Sequence, residues 1–400
     1  MTAHPPPQVA ARPERRPELD ALRTLVVVGL VFFHSSLVFD ARDDYYVKNA
    51  ETTEITMIIA ALCVVWAMPL LFLVAGLGSW HSLRHRGAGG FAVERLRRLG
   101  VPLVFATIVL LPFPQWLRLK ADPAYQDSYA QFWPHFFEVR LDVTEFPFVI
   151  QGTYYETGHL WFVVLLLVYS LLIAAARVPG GLAPRVRDGL GALARRRGLV
   201  LLAPAIPLAL ISALLGLEEA YAGWSRWAYL LFFLYGFALA SDTRLRDAMR
   251  RDAMAAAVIG GALIAAGVPL FLIAGEAPGA DAFMDLSPLA TLARTMYGAA
   301  GWCWVVAILG LLDRRRPAPP SNAQDGRGRR VYGYLAASVL PVYILHQPVV
   351  VAVAYVVVGW SAPIAVKYVI IVAASLALTF VAYDLLVRRT PVTRFLFGMR

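Results

Sequence analysis

The chain has 400 residues, 59% of them hydrophobic and only 16% charged. A soluble domain of this size carries roughly 25% charged residues, so the composition excludes a water-soluble globule and predicts a polytopic membrane protein. The net charge of +10 would suit a nucleic-acid partner, but where those charges lie, described below, excludes that as well.

Ten apolar segments approach or exceed the length of about 20 residues that a spanning helix needs. They lie at about 20–40, 55–80, 99–117, 159–176, 199–216, 227–240, 253–274, 288–312, 332–358 and 363–386. The sixth is short for a full crossing unless it begins earlier, near Tyr221. All are predicted helices, because within lipid only helices and closed barrels satisfy their own backbone. Continuous apolar runs lack the alternation of a barrel strand. The fold class is therefore an all-α helical bundle in the membrane. A basic, Pro-rich tail (1–19) that reads as disordered precedes a membrane domain at 20–390, and a tail at 391–400 follows. The first run is long and ends in "HSSLVFD" with no A-x-A pattern, so it reads as a retained span and not as a signal peptide.

Lys and Arg set the orientation. With the N-terminus inside, 28 of the 37 basic residues fall in inner segments and 6 in outer ones. The other three, Arg23, Arg294 and Lys367, lie within spans. Both termini are thus predicted to be cytoplasmic, and the basic excess is a topology signal. The first outer loop, "FDARDDYYVKNAETTE", is acidic, with Asp40, Asp43, Asp44, Glu51 and Glu54. The outer loop at 118–158 is the longest and rich in aromatics, which argues against disorder and for a lid or an interfacial piece. The inner "DRRRPAPPSNAQDGRGRR" reads as a flexible linker. Cys63 and Cys303 stand apart in apolar runs, which implies neither a disulfide framework nor a metal site.

Ionisable groups within spans are costly and mark functional sites by default. Arg23 and His34 share the first span. Eleven residues make three helical turns plus about 20°, so both lie on one face, about 16.5 Å apart along the axis. Near the cytoplasmic end of the third span, Arg95 and Arg98 are spaced to face the same way on a helix. Arginine there serves either topology or bidentate phosphate binding. His346 lies deep in the ninth span, just before Pro348. Such a proline frees a backbone carbonyl and can kink the helix. His159 and Trp161 open the fourth span at its outer end and read most simply as an interfacial anchor.

If phosphates sit at the arginines and a reactive group at His34, the ligand is anionic with a long narrow arm, as in an acyl-coenzyme A. A neutral histidine at the tip can act as general base on a hydroxyl. A rival reading is a proton-coupled transporter using His34 and His346. Transporters often carry inverted repeats, and none is evident here.

Five stretches bear a resemblance in order: "LDALRTLVVVGLVFFHSSLVFD", "PLLFLVAGLGSWHSLRHRGAGGFAVERLRRLGVP", "GHLWFVVLLLVYSLL", "LPVYILHQPVVV" and "YDLLVRRTPVTRFLFG". With them the chain resembles membrane acyltransferase family 3, within it the glucan-biosynthesis protein C group. The Arg–ten residues–His pattern at Arg23 and His34 and the R-x-x-R at Arg95 and Arg98 carry most of the likeness. The resemblance implies a multi-pass protein of a bacterial inner membrane, with an acyl-coenzyme A co-substrate and no permanently bound cofactor or metal. It implies an acetyl- or succinyl-class acyl group and a hydroxyl acceptor on a cell-envelope glycan or a lipid-linked equivalent. It implies His34 as the catalytic group and Arg23, Arg95 and Arg98 as donor-binding. Asp20, Ser35, His159, Trp161, His346 and Gln347 are the supporting candidates.

Overall fold

The computed structural model describes residues 17–42, 44–176, 184–314 and 326–399. Most of the basic tail, Asp43 and most of the linker lie outside the described residues. The chain is a multi-pass helical bundle. Its helices are α1 (Pro17–Leu37), α2 (Ile55–Val64), α3 (Ala67–Arg95), α4 (Val101–Val109), α5 (Pro112–Lys120), α6 (Tyr129–His135) and α7 (Trp161–Ala175). They continue with α8 (Pro184–Arg195), α9 (Leu199–Leu215), α10 (Arg226–Ser241), α11 (Thr243–Ala274), α12 (Pro288–Arg314), α13 (Gly326–Val357), α14 (Ile364–Ala382) and α15 (Pro391–Leu396). The long outer loop holds α6 and a small antiparallel hairpin, β1 (Val139–Leu141) with β2 (Ile150–Gly152).

Among the described residues, seven helical stretches are long and apolar enough to cross a membrane, or eight if the pair Asp188–Arg195 and Leu199–Leu215, bent by 114°, is one span. The ten expected spans map onto this count with two differences. Leu62–Lys120 counts as one stretch of 59 residues. At 1.5 Å per residue that is about 88 Å, roughly three times the hydrocarbon thickness, so it cannot be a single crossing. The break is at Gly87, where φ is 66° and ψ 175°. Only glycine takes that backbone cheaply, and the expected inner loop at 81–98 shrinks to this one hinge. The second difference is α10, which has 16 residues and falls short of a full crossing, as its sequence suggested.

The outer faces are apolar. Val258, Ile259, Val268 and Ile273 on α11 and Leu202, Ile206, Leu210 and Leu214 on α9 are exposed. In water such patches would be a liability; against lipid tails they match their surroundings. The core sits between α3, α7, α10 and α12. Phe72 is at its centre, with the rings of Phe162, Tyr169 and Tyr229 at 4.7, 5.8 and 4.6 Å.

Two of the three in-span cations serve the fold. Arg294 is 0% exposed and donates to Ser212 O, Ala213 O and Ala282 O. The first two are last-turn carbonyls of α9, which lack helical partners and favour a cation. Lys367 Nζ donates to Asn49 Oδ1 and Val358 O, both at 2.8 Å, and pins the first outer loop to the top of α14.

Candidate active site

Three histidines far apart in sequence converge at the outer half of the bundle. α1 presents His34 half-buried. Its ring centroid is 5.0 Å from that of His346 and 6.1 Å from that of Tyr45. His346 in turn is 5.1 Å from His159. Ser35 beside them is fully buried, and its Oγ has no partner. Ser36 Oγ donates to Phe33 O at 2.7 Å.

Pro348 explains how His159 is held. With no N–H, it leaves Ile344 O, four residues back, without its helical donor. His159 Nε2 lies 3.0 Å from that oxygen. A carbonyl only accepts, so Nε2 carries the hydrogen. Gln347 Oε1 accepts the His159 backbone N–H at 2.9 Å, and the Tyr343 hydroxyl donates to His159 O. One turn of α13 thus fixes both backbone and ring of His159. His346 Nδ1 lies 2.6 Å from Tyr343 O and by the same logic is the protonated nitrogen. Among the described residues no group of three or more His, Cys, Asp or Glu is arranged to hold a metal ion.

The expected anchor at the start of the fourth span lies inside the bundle. His159 and Trp161 are only 5% and 8% exposed. Trp161 stacks on Tyr229 at 5.3 Å and belongs to the aromatic core. An N-terminal turn at Gly158–Leu160 tucks both side chains inward, because α13 offers His159 a free carbonyl that lipid headgroups need not supply.

Above the histidines sits a polar cap that the sequence did not reveal. Tyr46 hydrogen-bonds Glu156, and the Arg118 guanidinium lies 5.6 Å over the Tyr46 ring while pairing with Asp44 at 2.6 Å. Burial pushes the Glu156 carboxyl above its ordinary value and the Tyr46 hydroxyl well above its own. Gly158 has φ 45°, and a Cβ there would meet Tyr46 Oη at 3.0 Å, so the cap lies directly on the His159 turn.

At the other end of α1, Arg23 Nη2 donates to Val74 O at 2.9 Å and Nη1 pairs with Asp20 at 3.3 Å. Asp20 also accepts the Tyr332 hydroxyl at 2.7 Å. Arg98 is close enough for its charge to act on Arg23. Arg95 and Arg98 share Glu94, at 3.7 and 3.5 Å, but diverge beyond it. Arg95 reaches Ser79 Oγ at 3.2 Å and lies over Phe91. Arg98 lines a cleft of about 570 Å³ with Arg86, Glu94, Arg97, Phe395, Gly398 and Met399. The divergence has a backbone cause: Leu96–Gly100 is a π-helical turn, whose wider winding undoes the one-face spacing of a regular helix. Arg98 Nε is buried with no partner. Three arginines against one glutamate give this cleft an excess of positive charge.

The C-terminal segment, expected as a tail, walls the cleft. Phe397 packs on Phe105 at 5.4 Å. Gly398 has φ 68°, and a Cβ on it would stand 2.4 Å from Arg98 O. Gly398→Ala therefore has to push the segment off the π-turn. We expect it to raise the half-saturating donor concentration about tenfold, roughly the loss of one hydrogen bond to a charged group, with the three histidines unmoved. Unchanged donor saturation would show that this wall plays no part in binding.

The family model described as an acyltransferase domain, acyltransferase family 3, matches residues 16–384, nearly the whole chain. That range holds both ends of the site apart from the C-terminal wall. No curated protein and no solved structure matches the chain.

Proposed function

The chain belongs to the acyltransferase family whose domain model it matches, and on that premise we propose that it is an O-acyltransferase that takes an acyl group from cytoplasmic acyl-coenzyme A. The acceptor is a hydroxyl of a cell-envelope glycan, and the membrane is a bacterial plasma membrane. The observation that carries this reading is the two-ended face of α1. Arg23 stands beside the arginine cleft at one end, and His34 stands with two further histidines at the other. About 16.5 Å of helix separates them, a span suited to a molecule with phosphates at one end, a thin arm and a thioester at its tip.

In the step itself, His34 takes the hydroxyl proton as the oxygen attacks the thioester carbonyl. The tetrahedral intermediate collapses, the C–S bond breaks, and the imidazolium returns the proton to the departing thiolate. The surrounding apolar helices keep water from the thioester. Arg23 and Arg98 hold the phosphates and do not touch the reacting atoms.

The test is thiol release by the purified chain from acetyl- or succinyl-coenzyme A in the presence of glucan oligosaccharides. Arg98→Ala should raise the donor KM about tenfold or more, the worth of a charge-assisted contact, while kcat changes far less. A donor KM unaltered in Arg98→Ala would remove the phosphate site from this end of the bundle.

A further inference from the structure

The three imidazoles differ in what fixes them. Backbone carbonyls hold the hydrogens of His346 on Nδ1 and of His159 on Nε2. In a neutral ring the opposite nitrogen is then a bare acceptor. These are His346 Nε2 and His159 Nδ1, both buried and both without a partner. The residues themselves are 0% and 5% exposed, so water does not readily repair the deficit, and an unmet buried acceptor is costly. His34 Nδ1 is buried and unpartnered too, but no carbonyl fixes its tautomer. It is the least buried of the three residues, and its neighbour at 5.0 Å is His346.

One arrangement relieves these demands best. A hydrogen on His34 Nδ1 supplies the donor that His346 Nε2 lacks. A lone pair on His34 Nδ1 would add a third bare nitrogen to a cluster with no donor. We propose that His346 is the positioning residue of His34: its Nε2 accepts the His34 Nδ1–H, selecting the tautomer in which His34 Nε2 is the base. The proposal rests on the reading of His34 as the base. A general base needs a third group to orient it, and a carboxylate would be expensive to bury in a membrane. An imidazole whose own proton is fixed by Tyr343 O does the work without a charge. When His34 Nε2 takes the hydroxyl proton, the resulting cation keeps its Nδ1–H on the same acceptor. Its titratable neighbours are His346 from α13, His159 from the Gly158–Leu160 turn and Tyr45 from the first outer loop.

The test uses the full chain in lipid nanodiscs with ¹⁵N-labelled histidine, His34 being assigned by its loss in His34→Gln. At pH 8 we expect a protonated, pyrrole-type Nδ1 and a pyridine-type Nε2. The reverse pattern overturns the proposal. Kinetics with acetyl- and succinyl-coenzyme A and glucan oligosaccharides give the second arm. His346→Phe should lower kcat on the order of 100-fold, the scale of a misdirected general base, with donor KM within about twofold. His346→Gln, whose amide oxygen accepts the same hydrogen, should stay within about tenfold of the parent. Equal losses in both variants, or a KM that moves with kcat, would make His346 merely structural. Full activity of His34→Ala removes the base itself; an inactive His34→Ala, together with a parent chain whose His34 is protonated on Nε2, removes the positioning alone.

Discussion

His34→Ala abolishes acyl transfer and leaves the bundle intact. The expected fall in kcat is about 10²- to 10⁴-fold, the contribution of a positioned general base. Stability should change little, because the residue is only partly buried and the one hydrogen bond proposed for its ring, Nδ1–H to His346 Nε2, is worth about 1 kcal/mol. Donor binding should persist, since Arg23, which stands beside the arginine cleft, lies about 16.5 Å from His34 along α1. The measurements are thiol release, thermal melting, and the melting shift on adding acetyl- or succinyl-coenzyme A. Three results together support the assignment: no turnover, an unchanged melting point, and a retained donor-induced shift. Turnover within a few-fold of the parent would end it. The experiment separates His34 from its neighbours, because loss of the His159 ring also frees Ile344 O. A His159 variant therefore disturbs α13 as well as the chemistry.

Arg23 and His34 were legible in the sequence because helical arithmetic within one element needs no tertiary information. The same holds for Pro348, whose freed carbonyl follows from its chemistry. Which donor would fill that carbonyl was not legible. His159 lies 185 residues away from Ile344, and no local pattern ties a turn before α7 to a proline in α13. The inward setting of His159 and Trp161 was missed for that reason. Arg95 and Arg98 show the opposite limit. Their spacing was read correctly for a regular helix, but the π-turn at Leu96–Gly100 gave them different destinations. Nothing in "ERLRRLG" signals that turn, which Gly398 completes by approaching Arg98 O from the far end of the chain. Charge counting could not see that Gly87 compresses the expected inner loop at 81–98 to a hinge.

The largest structural effect belongs to a crossing that holds the donor end in place. α3 and α10 meet through two glycines. A Cβ on Gly76 would stand 1.9 Å from Phe233 O, and one on Gly236 would stand 1.8 Å from Leu73 O. Both obstacles are backbone atoms, which cannot rotate aside as a side chain can. Small residues let membrane helices approach this closely, where packing rather than hydrophobic burial drives association. Gly236→Ala must therefore separate the helices, at a cost of about 1–3 kcal/mol or more, and lower the melting point by several degrees. The displacement reaches function, because Val74 of α3 accepts from Arg23 and Ser79 from Arg95; donor KM should rise as the melting point falls. Gly76→Ala should behave alike. The double variant should cost clearly less than the two single costs added, since helices already parted by one methyl have room for the other. Gly261→Ala on α11 is the control, with nothing within 4 Å of its new Cβ; it should melt at or slightly above the parent temperature. If Gly236→Ala melts with that control, or if the two single losses add in full, the crossing does not hold α3 in the way this geometry requires.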